Sequence, residues 1–422
     1  MLLLAFAFPP ENLTGAARPW RFYRYLPEFG YDPVVVTAST QDAQNPHPHV
    51  TGVEDRTRAT RRRSFRRLFE AAIYRIFRPG DEGFLWMFDA FRVAGRFLAK
   101  RDRGTMLPPV SAIYSTFPSL NVHLVAMALK RRYGLPWIAD FRDPLVGNSF
   151  TRHTALSNKV DEFLERRIFE EADALTVVSD AIADQWRGRY PAQAHKIHVL
   201  CNGYDPARPI VPLPIPKRPY RVLAHLGSFY GGRTPEPLVA SVLRLIDAGR
   251  LDPAAIRVVF VGEFVVDSYP AETRALLDRL SGLGCLQYED RIVPREEALN
   301  VMAMSDYLLL ADNNRFREGH TFTIPAKIFE YVQVGRPILA LTEKNSPVDR
   351  VLERSGVPVT VIEARLPDPE VDQRLYEFLQ LRSDPVEPSA WFRDTFDGRR
   401  QTGTLAGILD SIIGSDIEPA RR

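Results

Sequence analysis

A chain of 422 residues that is 45% apolar has material for two or three domains with real cores. Its two cysteines, Cys201 and Cys285, lie far apart, which argues against a disulfide scaffold or a cysteine-based zinc site and suits a reducing cytoplasm. The net charge of +3 is uneven: residues 1–150 hold 21 Lys or Arg against 13 Asp or Glu, about +8, leaving about −5 for the rest.

The chain opens on an apolar run, Leu2 to Phe8, that is short, lacks a basic flank and ends at Pro9-Pro10. It reads as a buried first strand rather than a signal peptide. No apolar run approaches the length of a membrane span. A loop with Gly15 follows, then a helix over residues 17–29 stopped by Gly30, then a strand over residues 34–37. Residues 41–60 show no periodicity and read as loop. In Arg61 to Arg78, Phe65, Leu68, Phe69, Ala72, Ile73, Ile76 and Phe77 form a helical apolar stripe, with Arg61, Arg62, Arg63, Arg66 and Arg67 at its start. Such a helix can lie on an anionic membrane surface, or it can pack on the core and leave a solvated basic end. Nothing supports nucleic-acid binding.

A helix over residues 89–100 is followed by a strand at residues 112–115, a helix at 122–133 with His123 in its first turn, and a strand at 137–140. That last strand ends in Asp140-Phe141-Arg142-Asp143-Pro144. Two carboxylates and an arginine so close are costly unless solvated or functional. His123 is also a plain helix-start histidine, and Asp143 before Pro144 a plain turn residue. Helix, strand, helix and short strand then run to the turn Asn202-Gly203. Six prolines between Pro206 and Pro219 read as a stiff linker.

The second half restarts with a strand at residues 222–226, a loop holding Gly227, Ser228, Gly231, Gly232 and Arg233, and a helix at 234–248. Glycine loops between strand and helix cradle phosphates with backbone N–H groups, and Arg233 could add a bidentate clamp. A strand at 256–261 ends in Gly262-Glu263, and the apolar run Tyr307 to Ala311 is another buried strand. Then comes TIPAKIFEYVQVGRPILALT. Thr323 is a candidate N-cap and Pro325 suits a first helical turn; Gly335 and Pro337 end the helix, and residues 338–341 form the next strand. Lys327 and Glu330 share a helix face at the strand end where open α/β sheets bind ligands. Trp391 to Ile413 reads as a terminal helical segment.

IPAKIFEYVQVGRPILAL resembles the donor-site segment of the retaining GT-B glycosyltransferases of family four, in a Lys-x-x-Glu-Tyr version. The similarity extends to the strand–Pro-Pro–Gly15–Arg18 opening, the Ser, Pro, His loop with Asp-Phe-Arg-Asp-Pro, and the Asn-Gly-Tyr-Asp turn, so it covers nearly the whole chain. It implies two Rossmann-like domains with parallel sheets facing a cleft: 1–205 for the acceptor, a linker at 206–220, 221–390 for the nucleotide-sugar donor, and 391–413 crossing back to the first domain. It also implies transfer of a sugar from a nucleoside-diphosphate sugar to a sugar or lipid-linked acceptor, with no metal or other cofactor. His123 and Asp140 become candidates for acceptor recognition or proton removal. Gly15, Arg18, Gly227, Ser228, Gly232, Arg233, Gly262, Lys327 and Glu330 become candidates for the donor, Arg233 and Lys327 for stabilising the leaving diphosphate, and Glu330 for the ribose. Two positions depart from the family pattern: Phe322 stands where a first Glu is usual, and Ser228 where an Arg is. A sugar-nucleotide epimerase stays open because it shares the two-domain fold, and a non-catalytic sugar-nucleotide sensor stays open on those departures. An NAD enzyme is disfavoured, because neither half carries G-x-G-x-x-G after its first strand.

Overall fold

A computed structural model describes residues 1–10, 14–39, 49–54, 83–99, 110–146, 154–229, 233–262, 269–289, 291, 293–312 and 324–414. These form two compact units, Met1–Asn202 with Gly398–Arg422, and Gly203–Asp397. The basic stripe at 61–78, Gly232, Phe322 and Thr323 lie outside the described residues.

In the first unit the strands are β1 (Leu2–Ala5), β2 (Val34–Thr37), β3 (Val50–Gly52), β4 (Ile113–Thr116), β5 (Trp137–Phe141), β6 (Ala174–Val177) and β7 (Ile197–Val199). They pair in parallel in the order β3-β2-β1-β4-β5-β6-β7. The intervening helices are α1 (Thr14–Tyr25), α2 (Trp86–Ala99), α3 (Leu120–Tyr133), α4 (Ala155–Glu171) and α5 (Asp180–Arg189). Every residue of β1, β2, β4, β5 and β6 is buried, as a parallel sheet covered on both faces requires. The strand β3 lies in a stretch read above as loop. It is three residues long and partly exposed, so it carries no apolar run to announce it.

The second unit holds β8 (Arg221–Leu226), α6 (Glu236–Asp247), β9 (Ile256–Val261), α7 (Ala271–Gly282), β10 (Leu286–Glu289), α8 (Arg295–Ala303) and β11 (Tyr307–Ala311). It continues through α9 (Lys327–Val334), β12 (Ile338–Leu341), α10 (Pro347–Arg354), β13 (Val359–Ile362), α11 (Asp368–Phe378) and α12 (Ala390–Phe396). Its parallel sheet runs β10-β9-β8-β11-β12-β13. In both sheets the order reverses beside the first strand, between β1 and β4 and between β8 and β11. Open α/β sheets bind ligands outside the carboxyl ends of the strands at such a point.

The proline-rich stretch is laid along the second unit. The Leu213 N–H donates to the Ala303 carbonyl at 3.2 Å, Arg336 donates to the Leu213 carbonyl at 2.8 Å, and Arg218 pairs with Asp306 at 2.7 Å. The last helix, α13 (Gly398–Gly414), completes the first unit's core: its Leu405, Ile408, Leu409 and Ile412 pack with Leu3, Phe22 and Leu26. Among the described residues, no helix is long and apolar enough to cross a membrane.

Candidate functional site

The second unit gathers the donor candidates at its reversal point. Pairing between β8 and β11 covers only Leu223 and Ala224 on β8, so the strands part before β8 ends. The Leu226 N–H donates instead to the Tyr331 hydroxyl on α9, at 3.0 Å. That bond ties the middle of α9 to the end of β8. It gives the tyrosine of the Lys-x-x-Glu-Tyr segment a purpose that its sequence position did not reveal.

Two glycines follow β8 and β9. Gly227 has φ +104°, and its N–H donates to the Val261 carbonyl at 2.7 Å. Gly262 has φ +145°, and a Cβ there would lie 2.6 Å from the Gly227 carbonyl carbon. Both the backbone angles and the close approach therefore demand glycine. A Cβ on Gly227 would in turn meet Lys327 Nζ at 3.0 Å. Ser228 follows Gly227, half-buried, and Arg233 is only 8% exposed just before α6. Thr234 accepts a hydrogen bond from the Glu236 N–H at the start of that helix, at 3.2 Å.

Lys327 is the first residue of α9; the helix starts later than Pro325, whose carbonyl accepts from the Ile328 N–H at 3.1 Å. Burial first, then the Arg233 charge, pull the Lys327 pKa down to about 7, against a smaller opposing pull from Glu330. The Arg233 charge thus reaches Lys327, which lies against the Gly227 backbone. Two helix N-termini, those of α6 and α9, begin at the same sheet edge. A diphosphate suits these groups, since it would relieve the repulsion and meet N–H donors at the helix starts. Glu330 is partly exposed and pairs with Arg295 of α8 at 2.5 Å, so a ribose hydroxyl there would share the carboxylate with a guanidinium.

The first-unit candidates for acceptor recognition or proton removal, His123 and Asp140, are both buried. Asp140 is fully buried. Its carboxylate accepts from Arg18 Nε at 2.9 Å and Nη2 at 2.8 Å, from Thr116 at 2.7 Å and from Thr176 at 2.6 Å. Thr116 and Thr176 are its register partners on β4 and β6, so one face of the sheet supplies both hydroxyls. Burial alone would raise the Asp140 pKa. The Arg18 charge and these hydrogen bonds outweigh it and hold the group below its ordinary value. Arg18, read above as a donor-site residue, is 1% exposed and also donates to the Cys201 carbonyl at 3.0 Å. The pair clamps α1 to the sheet and to the end of the unit. In this structure Arg18 is held in a buried ion pair.

His123 is likewise buried. Its Nδ1 lies 2.8 Å from Ser115 Oγ, which also accepts from Trp137 Nε1 at 2.7 Å, and its ring packs 4.5 Å from that of Phe141. Burial lowers its pKa to about 3, so it is neutral at physiological pH. Gly15 lies in the first turn of α1 rather than in a loop, and its carbonyl accepts from Arg142 at 3.1 Å. Arg142 was visible in the sequence only as part of Asp-Phe-Arg-Asp-Pro; the contact to Gly15 spans 127 residues. Among the described residues, no three His, Cys, Asp or Glu side chains cluster as metal ligands.

Solved structures share this architecture over the whole chain. A glycosyltransferase from Rickettsia africae is 10% identical, covering 98% of this chain and 98% of its own, with a TM-score of 0.63. Anabaena HepE in complex with UDP is 14% identical, covering 97% and 99%, with a TM-score of 0.60. Sucrose-phosphate synthase from Thermosynechococcus elongatus is 14% identical, covering 98% and 96%, with a TM-score of 0.54. The fold is thereby that of the GT-B glycosyltransferases. Residues 14–203, most of the first unit, match the model of the glycosyl transferase 4-like domain. No curated protein matches the sequence.

Proposed function

We propose that the chain is a retaining glycosyltransferase that moves a sugar from a nucleoside-diphosphate sugar to an acceptor hydroxyl, in the making of a glycan, polysaccharide or glycolipid. The observation that supports this most is the approach of Lys327 to the Gly227 backbone, with the Arg233 charge acting on it, at the reversal point of the second sheet. In such transfers the bond from anomeric carbon to phosphate oxygen breaks through an oxocarbenium-like state, and negative charge collects on the leaving diphosphate. Lys327, Arg233 and nearby backbone N–H groups would stabilise that charge without rearranging. The reading invokes no metal and no cofactor beyond the donor. Glu330 and Arg295 would border the nucleoside. HepE has been solved with UDP-glucose, which makes a uridine donor the first to try.

The acceptor would belong to the first unit. The burial of His123 and Asp140 argues for backbone and structural support there rather than direct proton transfer by either. A lipid-linked acceptor would suit docking of the basic stripe at 61–78 on an anionic surface. The test of the activity is nucleoside-diphosphate release from UDP-, GDP-, dTDP- and ADP-sugars with simple glycoside and lipid-linked acceptors, with the product anomer read by NMR. One donor class should turn over with its configuration kept. Inversion would remove the retaining assignment. A sugar nucleotide that binds without turning over would favour a sensor.

A further inference from the structure

We infer that His225 is a positioning residue for the leaving diphosphate: its unprotonated Nε2 accepts a hydrogen bond from Lys327 and holds that ammonium against the Gly227 backbone. The inference rests on the donor-site reading above. His225 lies within β8, in an otherwise apolar run, and is fully buried. Its Nδ1 is 2.9 Å from the Leu309 carbonyl on β11. A carbonyl oxygen can only accept, so Nδ1 carries the proton and Nε2 is left with a lone pair. Lys327 Nζ lies 3.3 Å from that nitrogen.

The ring is fixed on its other sides. It stacks on Phe229 at 4.0 Å and meets Phe260 edge-on at 6.3 Å. The space around the ammonium is equally defined, since a Cβ on Gly227 would stand 3.0 Å from Nζ. The charged groups that act on this pair are Arg233 and Glu330. Burial pushes the His225 pKa well below its ordinary value, and the charges of Lys327 and Arg233 push the same way, against backbone bonds to Leu309 and Gly227. The imidazole therefore stays neutral, donating through Nδ1 to Leu309 and accepting through Nε2 from Lys327. Burial and the Arg233 charge favour the uncharged form of Lys327, lowering its pKa to about 7. An arriving diphosphate would restore the full charge, so binding takes up a proton.

The linkage sign follows. A bound diphosphate raises the Lys327 pKa, so its contribution to affinity is complete below about pH 7 and is lost as pH rises toward the bound-state value. The test uses the full chain, with UDP, GDP, dTDP and ADP as probes. Imidazole 15N shifts should show His225 as a non-titrating Nδ1–H tautomer from pH 5 to 8. Affinity for the accepted nucleotide should fall by up to about tenfold per pH unit above pH 7. His225→Phe, which keeps the ring stack, should weaken that nucleotide about tenfold or more, and His225→Gln, whose amide oxygen can accept from Lys327, should recover most of the loss. An Nε2–H tautomer, or an imidazole that titrates in this range, would overturn the inference on the unaltered protein. So would a His225→Phe variant that binds the nucleotide like the wild type while Lys327→Ala does not; the donor site would then stand without His225. If the tautomer is as described and no nucleotide binds, the donor reading fails and the positioning role fails with it.

Discussion

Replacing Asp140 by Asn should unfold the first unit early rather than disable chemistry. The carboxylate accepts four hydrogen bonds within 2.9 Å, two of them from a guanidinium that is itself 1% exposed. An amide keeps one oxygen, turns an N–H group toward donors, and leaves the Arg18 charge buried without its anion. Breaking one partner of a buried pair costs about 3–5 kcal/mol. At roughly 2–4 °C per kcal/mol for a unit of this size, the melting temperature should fall by roughly 6–20 °C. Calorimetry of the full chain reads this directly. A paired replacement, Arg18→Met with Asp140→Leu, removes both charges and should be much less damaging than either alone. Acid should act in the same direction. Because Arg18 and the two threonines hold the folded Asp140 pKa below its unfolded value, the stabilisation is present above about pH 3.9 and is lost as pH falls through the folded value. An Asp140→Asn protein that melts like the wild type yet has lost turnover would refute the structural assignment and return Asp140 to the chemistry.

Arg233→Ala and Lys327→Ala should each lower turnover by about a hundredfold, the usual effect of removing one transition-state charge contact; unchanged rates in both would remove the phosphate assignment. Tyr331→Phe leaves the buried Leu226 N–H without its acceptor and should cost about 1–3 kcal/mol in urea denaturation; a variant as stable as the wild type would show that α9 is held to β8 by packing alone. Wild-type protein should co-sediment with anionic liposomes at low salt and release as salt rises, and Ser at Arg62, Arg63, Arg66 and Arg67 should abolish this; no binding at low salt would make the 61–78 stripe a core element.

The strands were the most legible part of the sequence, because a parallel sheet covered on both faces needs unbroken apolar runs such as Leu2–Ala5 and Tyr307–Ala311. The glycine-bearing loop after β8 and the Lys327 helix were legible for a related reason: positive φ and a helix start at a strand end leave local signatures. What the sequence hid was pairing over distance. Asp140 looked like a cleft residue because its partners Arg18, Thr116 and Thr176 lie 122, 24 and 36 residues away. His225 passed as one polar residue in a strand, since only the fold brings Leu309 and Lys327 to its two nitrogens. Glu330 was legible only as sharing a helix face with Lys327; its pairing with Arg295 depends on how α8 and α9 pack.

The central claim is that Arg233 and Lys327 bind a nucleoside diphosphate at the end of β8. Thermal-shift titration of the wild type and of Lys327→Ala with UDP, GDP, dTDP and ADP tests it most directly. One nucleotide should stabilise the wild type by about 2.7 kcal/mol at a hundred times its Kd, and Lys327→Ala should lose most of that gain at the same concentration. No shift with any of the four nucleotides, or an equal shift in both proteins, would contradict the account.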